Sequence, residues 1–63
     1  MTTQFRVIYH DAHGKPHVLR PANEAEDTDE QMTVKLEHYV EKGLATGGHI
    51  ETYVDGIGWV VSP

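Results

Sequence analysis

Alternation of apolar and polar residues predicts two strands at the start of the chain. The run FRVIYH, residues 5–10, carries its core-side apolar groups at every second position, which is the period of a half-buried strand. The run PHVLR, residues 16–20, resumes the alternation after a break at DAHGK. Two such runs separated by a short turn segment predict an antiparallel hairpin.

The DAHGK segment between these strands has the residues of a tight turn. Asp11 suits the first turn position, where its carboxylate can accept local backbone hydrogen bonds, and Gly14 suits a position with positive φ. Pairing Asp11 with Lys15 sets Tyr9 opposite His17. The apolar sides of the two strands coincide in that register, which supports it.

A helix is predicted over residues 29–42. Thr28 and Gln31 fit a capping box, and the acidic first turn that follows is favoured by the helix dipole. Gly43 is the expected left-handed residue after the helix. A start at Asn23 is the alternative. The apolar residues at helical spacing are Met32, Leu36, Tyr39 and Val40.

A second hairpin is predicted from HIETYVDGIGWVVS, with strands at residues 49–54 and 57–62. Asp55-Gly56 is a typical type I′ turn pair, so Val54 should pair with Ile57. One face of this hairpin should then carry Ile50, Thr52, Val54, Ile57, Trp59 and Val61, and the other Tyr53 and Val60.

These elements predict an α+β fold, a small two-layer ββαββ domain that occupies residues 1–63. Two hairpins form one four-stranded antiparallel sheet, and the helix packs across one of its faces. The expected core is Phe5, Val7, Leu19, Met32, Leu36, Val40, Ile50, Val54, Trp59 and Val61. One helix leaves the other sheet face open, where Ile8, Val18, Tyr53 and Val60 are expected with a rim of Arg6, His10, Arg20 and Glu51. Such an apolar patch suggests a partner surface.

Composition narrows the classes of function. The 63 residues contain no cysteine, which excludes disulfides and thiolate zinc sites. Five basic against ten acidic residues give a net charge of −5, which disfavours direct binding to phosphate backbones. No apolar run approaches the roughly 20 residues of a membrane span, and the first residues do not resemble a signal peptide. A cytoplasmic protein without membrane association is therefore expected.

Candidate chemistry is sparse. Histidine and aspartate crowd the stretch YHDAHGKPH, but the predicted hairpin directs His10 and His17 to opposite faces and leaves His13 at the turn. We therefore expect no metal and no cofactor. The chain lacks a nucleophile motif, and a core this small should leave no room for a pocket of several hundred Å³. No catalytic residues are expected, and the protein should not be an enzyme.

The resulting hypothesis is a non-catalytic interaction protein that binds a larger protein with a basic surface. The acidic residues expected to contact that partner are Glu26, Asp27, Asp29, Glu30, Glu37 and Glu41. The open sheet face is the second candidate surface, and it could also support a homodimer. The concrete form of this hypothesis is a phage or mobile-element inhibitor or accessory protein whose partner binds nucleic acid. Small acidic proteins that imitate phosphate spacing are known among phage-encoded inhibitors, anti-CRISPR proteins included, and this chain is similar to them in size and charge only.

Two alternatives belong to other classes. One is a small metal-binding protein that uses the amino-terminal histidines. The other is a single-stranded nucleic-acid-binding module that uses Arg6, Arg20 and Tyr53 on the open sheet face.

Overall fold

The computed structural model describes residues 4–62 and confirms the ββαββ architecture. The strands are β1 (Phe5–His10), β2 (Pro16–Leu19), β3 (Gly47–Val54) and β4 (Gly58–Val61), and the helix α1 spans Asp29–Glu41. The sheet is antiparallel throughout, with the order β2-β1-β3-β4. Helix α1 packs on the two central strands. Residues 1–3 and 63, which the expected domain also included, lie outside the described range.

The first hairpin has the predicted register. Tyr9 lies opposite His17, and the Asp11 N–H donates to the Lys15 carbonyl at 3.0 Å. Gly14 has a φ of +80°. The Asp11 carboxylate also accepts backbone N–H groups within its own turn at 2.8 and 3.0 Å, so this turn supplies its own hydrogen bonds as its sequence indicated.

Both proposed helix starts are present as local structure. Thr28 caps α1, with its side-chain oxygen accepting the Gln31 N–H at 3.1 Å. Asn23 caps a separate 3₁₀ turn, Glu24–Glu26, by accepting the Glu26 N–H. The α-helix therefore begins after the Thr28 cap, as predicted, and the alternative cap, Asn23, begins the 3₁₀ turn before it.

The helix ends as its sequence predicted, at a left-handed glycine. Gly43 has a φ of +76°, and its N–H donates to the Val40 carbonyl at 3.1 Å. The Leu44 N–H donates to the Tyr39 carbonyl at 2.9 Å. This pair of bonds satisfies carbonyls that a helix end otherwise leaves free.

The predicted register of the second hairpin is wrong by one residue. Val54 pairs with Gly58, and Tyr53 pairs with Trp59. The side chains of β4 that were expected to face α1 therefore point away from it, and those expected to point away face it. Val60 lies on the helix side of the sheet, while Trp59 and Val61 lie on the open face.

Backbone geometry at the turn explains the shift. A type I′ turn needs positive φ at both central residues, and Asp55 does not adopt it. Glycine adopts left-handed backbone without the steric conflict of a Cβ, whereas aspartate adopts it less readily. Gly56 and Gly58 take positive φ instead, at +81° and +102°, and the loop gains one residue. Ile57, expected on the core side, is in this loop and 74% exposed.

Strand β3 begins two residues earlier than predicted because its glycines pair with β1. Gly47 lies opposite His10 and Gly48 opposite Tyr9. A Cβ on Gly48 would come within 2.4 Å of the Ile8 carbonyl oxygen. Gly48 thus permits a close approach of the β1 and β3 backbones that a residue with a Cβ would prevent.

The core is smaller than predicted and is centred on β1, β3 and α1. Its buried members are Val7, Met32 and Ile50, with Ala45 buried nearby. Phe5, Tyr9, Leu19 and Leu36 pack against this cluster. Val40 and Val61, assigned to the core from the sequence, are 45% and 63% exposed.

The revised packing makes a prediction about stability. Met32→Ala should lower the free energy of unfolding by about 2–5 kcal/mol, because the side chain is fully buried. Trp59→Ala should cost less, about 1–2 kcal/mol, because it removes a half-buried aromatic and cation–π contact without opening the core. Urea denaturation of the two variants measures the difference. A larger loss for Trp59→Ala would contradict this packing.

Candidate functional site

The open face of the sheet carries a cluster of interacting polar and aromatic side chains. We call Arg6, His49, Glu51, Tyr53 and Trp59 the open-face cluster. Arg6 lies directly opposite Glu51 across β1 and β3, and Tyr53 lies directly opposite Trp59 across β3 and β4. The cluster is thus built on three adjacent strands, and regular pairing fixes the backbone positions of its members.

Arg6 and Glu51 form the ionic part of the cluster. The Arg6 Nε and a terminal guanidinium nitrogen each lie 2.7 Å from Glu51 Oε1. His49 Nε2 lies 3.2 Å from the other carboxylate oxygen. The side chains of Arg6 and Glu51 are only 21% and 16% exposed, so this pair is less screened by solvent than an ordinary surface ion pair.

The pKa of the Glu51 carboxyl reflects this environment. Partial burial acts to raise the pKa, since it disfavours the charged form. Hydrogen bonds from His49 and Arg6 act in the opposite direction and are stronger together, so the pKa lies below its ordinary value. Glu51 therefore stays ionised and holds the guanidinium in place.

The aromatic part of the cluster is held by the same guanidinium. Arg6 Cζ lies 4.2 Å from the centroid of the Trp59 ring, within the range of a cation–π contact. Tyr53 meets Trp59 edge to face, with ring centroids 5.5 Å apart and planes at 69°. Trp59 is therefore restrained from two sides, although it lies on the sheet face opposite to α1.

Exposed apolar side chains accompany the cluster on this face. Val18 and Val61 are 50% and 63% exposed, and Ile8 is half-buried beside Val18, with which it pairs. Of the apolar residues predicted for the open face, Ile8, Val18 and Tyr53 lie there and Val60 does not. Trp59 and Val61 were missed, because the expected turn assigned them to the core. The signal that could have placed them is Gly58, a second glycine two residues after Gly56.

Half of the acidic residues proposed to bind a partner are engaged within the chain. Asp27 accepts the backbone N–H groups of Gln4 and Phe5 at 2.8–3.0 Å, which anchors the start of β1. Glu26 pairs with Lys35, and Asp29 accepts the Ser62 hydroxyl at the end of the sheet.

The other three acidic residues, Glu30, Glu37 and Glu41, are exposed on α1, and we call them the acidic stripe. Their spacing of seven and four residues places them on one side of the helix. Val34, 55% exposed, lies within the same stripe. The acidic stripe and the open-face cluster lie on opposite sides of the two-layer structure, because α1 covers the other face of the sheet.

The histidine-rich turn holds an Asp–His pair. His17 Nε2 lies 2.8 Å from Asp11 Oδ2, and the His17 ring stacks on Tyr9 with centroids 5.1 Å apart. Hydrogen bonds from His17 and from the backbone N–H of Lys15 lower the pKa of Asp11 from its ordinary value of 3.8 to about 2. Within residues 4–62, no group of three or more histidine, aspartate or glutamate side chains is arranged to hold a metal ion.

A surface groove is present where the sequence predicted no room for a pocket. It measures about 460 Å³ and lies between α1 and the start of β3. Its lining residues are Leu36, Glu37, Val40, Glu41, Thr46, Gly47 and Gly48.

Comparison with known protein families, with curated proteins and with solved structures gave no match. In the described part of the chain, no helix is long and apolar enough to cross a membrane. The function is therefore argued from the geometry of the surfaces.

The Asp11 pair predicts a pH dependence of stability. Because folding lowers the pKa of Asp11 from 3.8 to about 2, the ionised carboxylate stabilises the fold above pH 3.8, and this contribution is lost as the pH falls towards 2. Asp11→Asn should melt at a lower temperature than wild type at pH 6. Between pH 4 and pH 2 the melting temperature of Asp11→Asn should fall less steeply than that of wild type, because the variant has no Asp11 carboxylate to protonate.

The matched control is Asp55→Asn, which changes the exposed aspartate of the other hairpin turn. Its melting temperature should follow the wild-type slope over the same pH range. Equal slopes for Asp11→Asn and wild type would show that Asp11 does not contribute to acid unfolding.

Proposed function

We propose that this protein is a non-catalytic interaction protein that binds a larger protein through the open face of its sheet. The observation that carries this proposal is the open-face cluster, in which a tryptophan, a tyrosine and an arginine are held together on the uncovered side of the sheet. These three residue types dominate the energetic centres of protein interfaces. Their mutual contacts reduce the ordering cost of binding.

The apolar surroundings support the same surface. Val18 and Val61 extend the exposed area on both sides of the cluster, and a partner that covers them would exclude water from the Arg6–Glu51 pair. Exclusion of water strengthens electrostatic contacts at the centre of an interface. The open face thus has a central anchor and an apolar margin.

Charge favours a particular class of partner. The chain has a net charge of −5, and the acidic stripe adds a local negative field on the far side of the molecule. The net negative charge, to which the stripe contributes, speeds association with a basic protein through long-range attraction. A nucleic-acid-binding protein has a surface of this kind, and occupation of that surface would make this protein an inhibitor or accessory factor.

Single-stranded nucleic acid is the second candidate ligand, because Tyr53 and Trp59 share one exposed sheet face on which bases could stack. Two features oppose it. Glu51 neutralises Arg6 within the cluster, and the excess of acidic residues repels phosphates.

The proposal predicts that binding depends on the open face and not on the acidic stripe. Immobilised Trp59→Ala and Val18→Lys should fail to capture the protein partners that immobilised wild type captures. With a purified partner, each substitution should weaken the affinity at least tenfold. The control carries Glu30→Lys, Glu37→Lys and Glu41→Lys together. It should slow association, and the slowing should diminish at high salt, while the partner is still captured.

Circular dichroism should show native folding for all three variants. Loss of capture by the helix variant alone, with full retention by Trp59→Ala, would transfer the interface to α1. Salt-sensitive binding of a labelled oligonucleotide that Trp59→Ala abolishes would favour the nucleic-acid candidate instead.

A further inference from the structure

Strand β4 is a short outer edge of the sheet, and its side chains include none of those that usually prevent pairing. Edge strands commonly carry proline, lysine or inward charges that prevent association with another chain. Strand β2, at the other edge, begins with Pro16 and is followed by Arg20. Strand β4 reads GWVV and contains neither a charge nor a proline. Its neighbour Ile57 and its last residue, Val61, are 74% and 63% exposed.

The hydrogen-bond pattern of the hairpin shows which backbone groups of β4 face outward. The Ser62 N–H donates to the Ile50 carbonyl at 2.8 Å, so this pair is of the hydrogen-bonded type. Such pairs alternate along an antiparallel ladder, which makes Val60 the next residue bonded to β3. The N–H and C=O groups of Trp59 and Val61 therefore point away from the sheet.

We propose that β4 pairs with β4 of a second copy of this chain, antiparallel and centred on Val60. In this register Trp59 lies opposite Val61 of the partner subunit, and Val61 lies opposite the partner's Trp59. Every outward N–H and C=O group of these residues then finds a partner in both copies. The two Val60 side chains meet at the two-fold axis on the helix side of the sheet.

Self-complementarity and charge identify the occupant as a second copy. The register satisfies the same backbone groups on both sides, as a closed two-fold interface requires. Residues 57–62 contain no charged side chain, so the net charge of −5 on each copy is not concentrated at the contact. The inference is independent of the proposed function, because pairing at the edge joins two sheets side by side and leaves both open faces uncovered.

A single introduced cysteine tests the register. The chain has no cysteine of its own. A non-hydrogen-bonded antiparallel pair has a Cα separation of about 4.5 Å, which a disulfide can span. Val60→Cys should therefore give a disulfide-linked dimer under mild oxidation. The control is Val61→Cys, whose two copies would be more than about 7 Å apart in this register and beyond disulfide reach.

Preferential cross-linking of Val60→Cys over Val61→Cys at equal concentration supports the proposal. Equal cross-linking of the two variants, or cross-linking of Val61→Cys alone, overturns this register. An absence of cross-linking in both variants at about 0.5 mM, where complexes of micromolar affinity are populated, overturns the dimer.

Sedimentation of cysteine-free protein tests the association itself. The small edge contact predicts a weak, concentration-dependent dimer. Val61→Pro should abolish it, because proline removes an outward N–H of the edge, and native circular dichroism should be retained, since that N–H makes no bond to β3. A wild type that stays monomeric at about 0.5 mM overturns the proposal.

Discussion

The rest of this structure depends on the fact that one helix can cover only one face of a four-stranded sheet. Helix α1 lies on β1 and β3, where Met32 closes the cluster around Val7 and Ile50. No element within residues 4–62 covers the opposite face, so its side chains must be stable in contact with water or find a partner. Pairing of Arg6 with Glu51, and of Arg6 with Trp59, meets part of this requirement within the chain.

The acidic residues lie mainly on the helix side of the sheet, and the fold gives them two different uses. The acidic segment before and within the helix first appears as a uniform negative surface, but the fold uses three of its carboxylates for internal contacts. Asp27 holds the start of β1, and Asp29 reaches the end of the sheet at Ser62. A carboxylate that accepts backbone N–H groups stabilises the fold and has less capacity to bind another molecule. The remaining stripe on α1 suits long-range steering more than specific contact.

The second hairpin shows how a small choice in backbone conformation changes a functional surface. With two glycines available, the chain avoids positive φ at Asp55 and shifts the register of β4 by one residue. Side chains alternate across a strand, so a shift by one residue exchanges the two faces. Trp59 consequently leaves the core side and joins Tyr53, which creates the aromatic part of the open-face cluster.

Local interactions were determined by the sequence alone. The first hairpin and its Asp11 turn, the Thr28 cap and the Gly43 helix end each depend on residues within a few positions of one another. The order of elements and the open face followed from them. The register of β4 followed from a choice between two local turn conformations, which the sequence pattern left open. Non-local packing decided the rest, namely the pairing of the β3 glycines with β1, the burial of Ala45, and the use of Asp27 and Asp29 as internal acceptors. The partners in these contacts lie far apart in the sequence, so only the packing of sheet and helix brings them together.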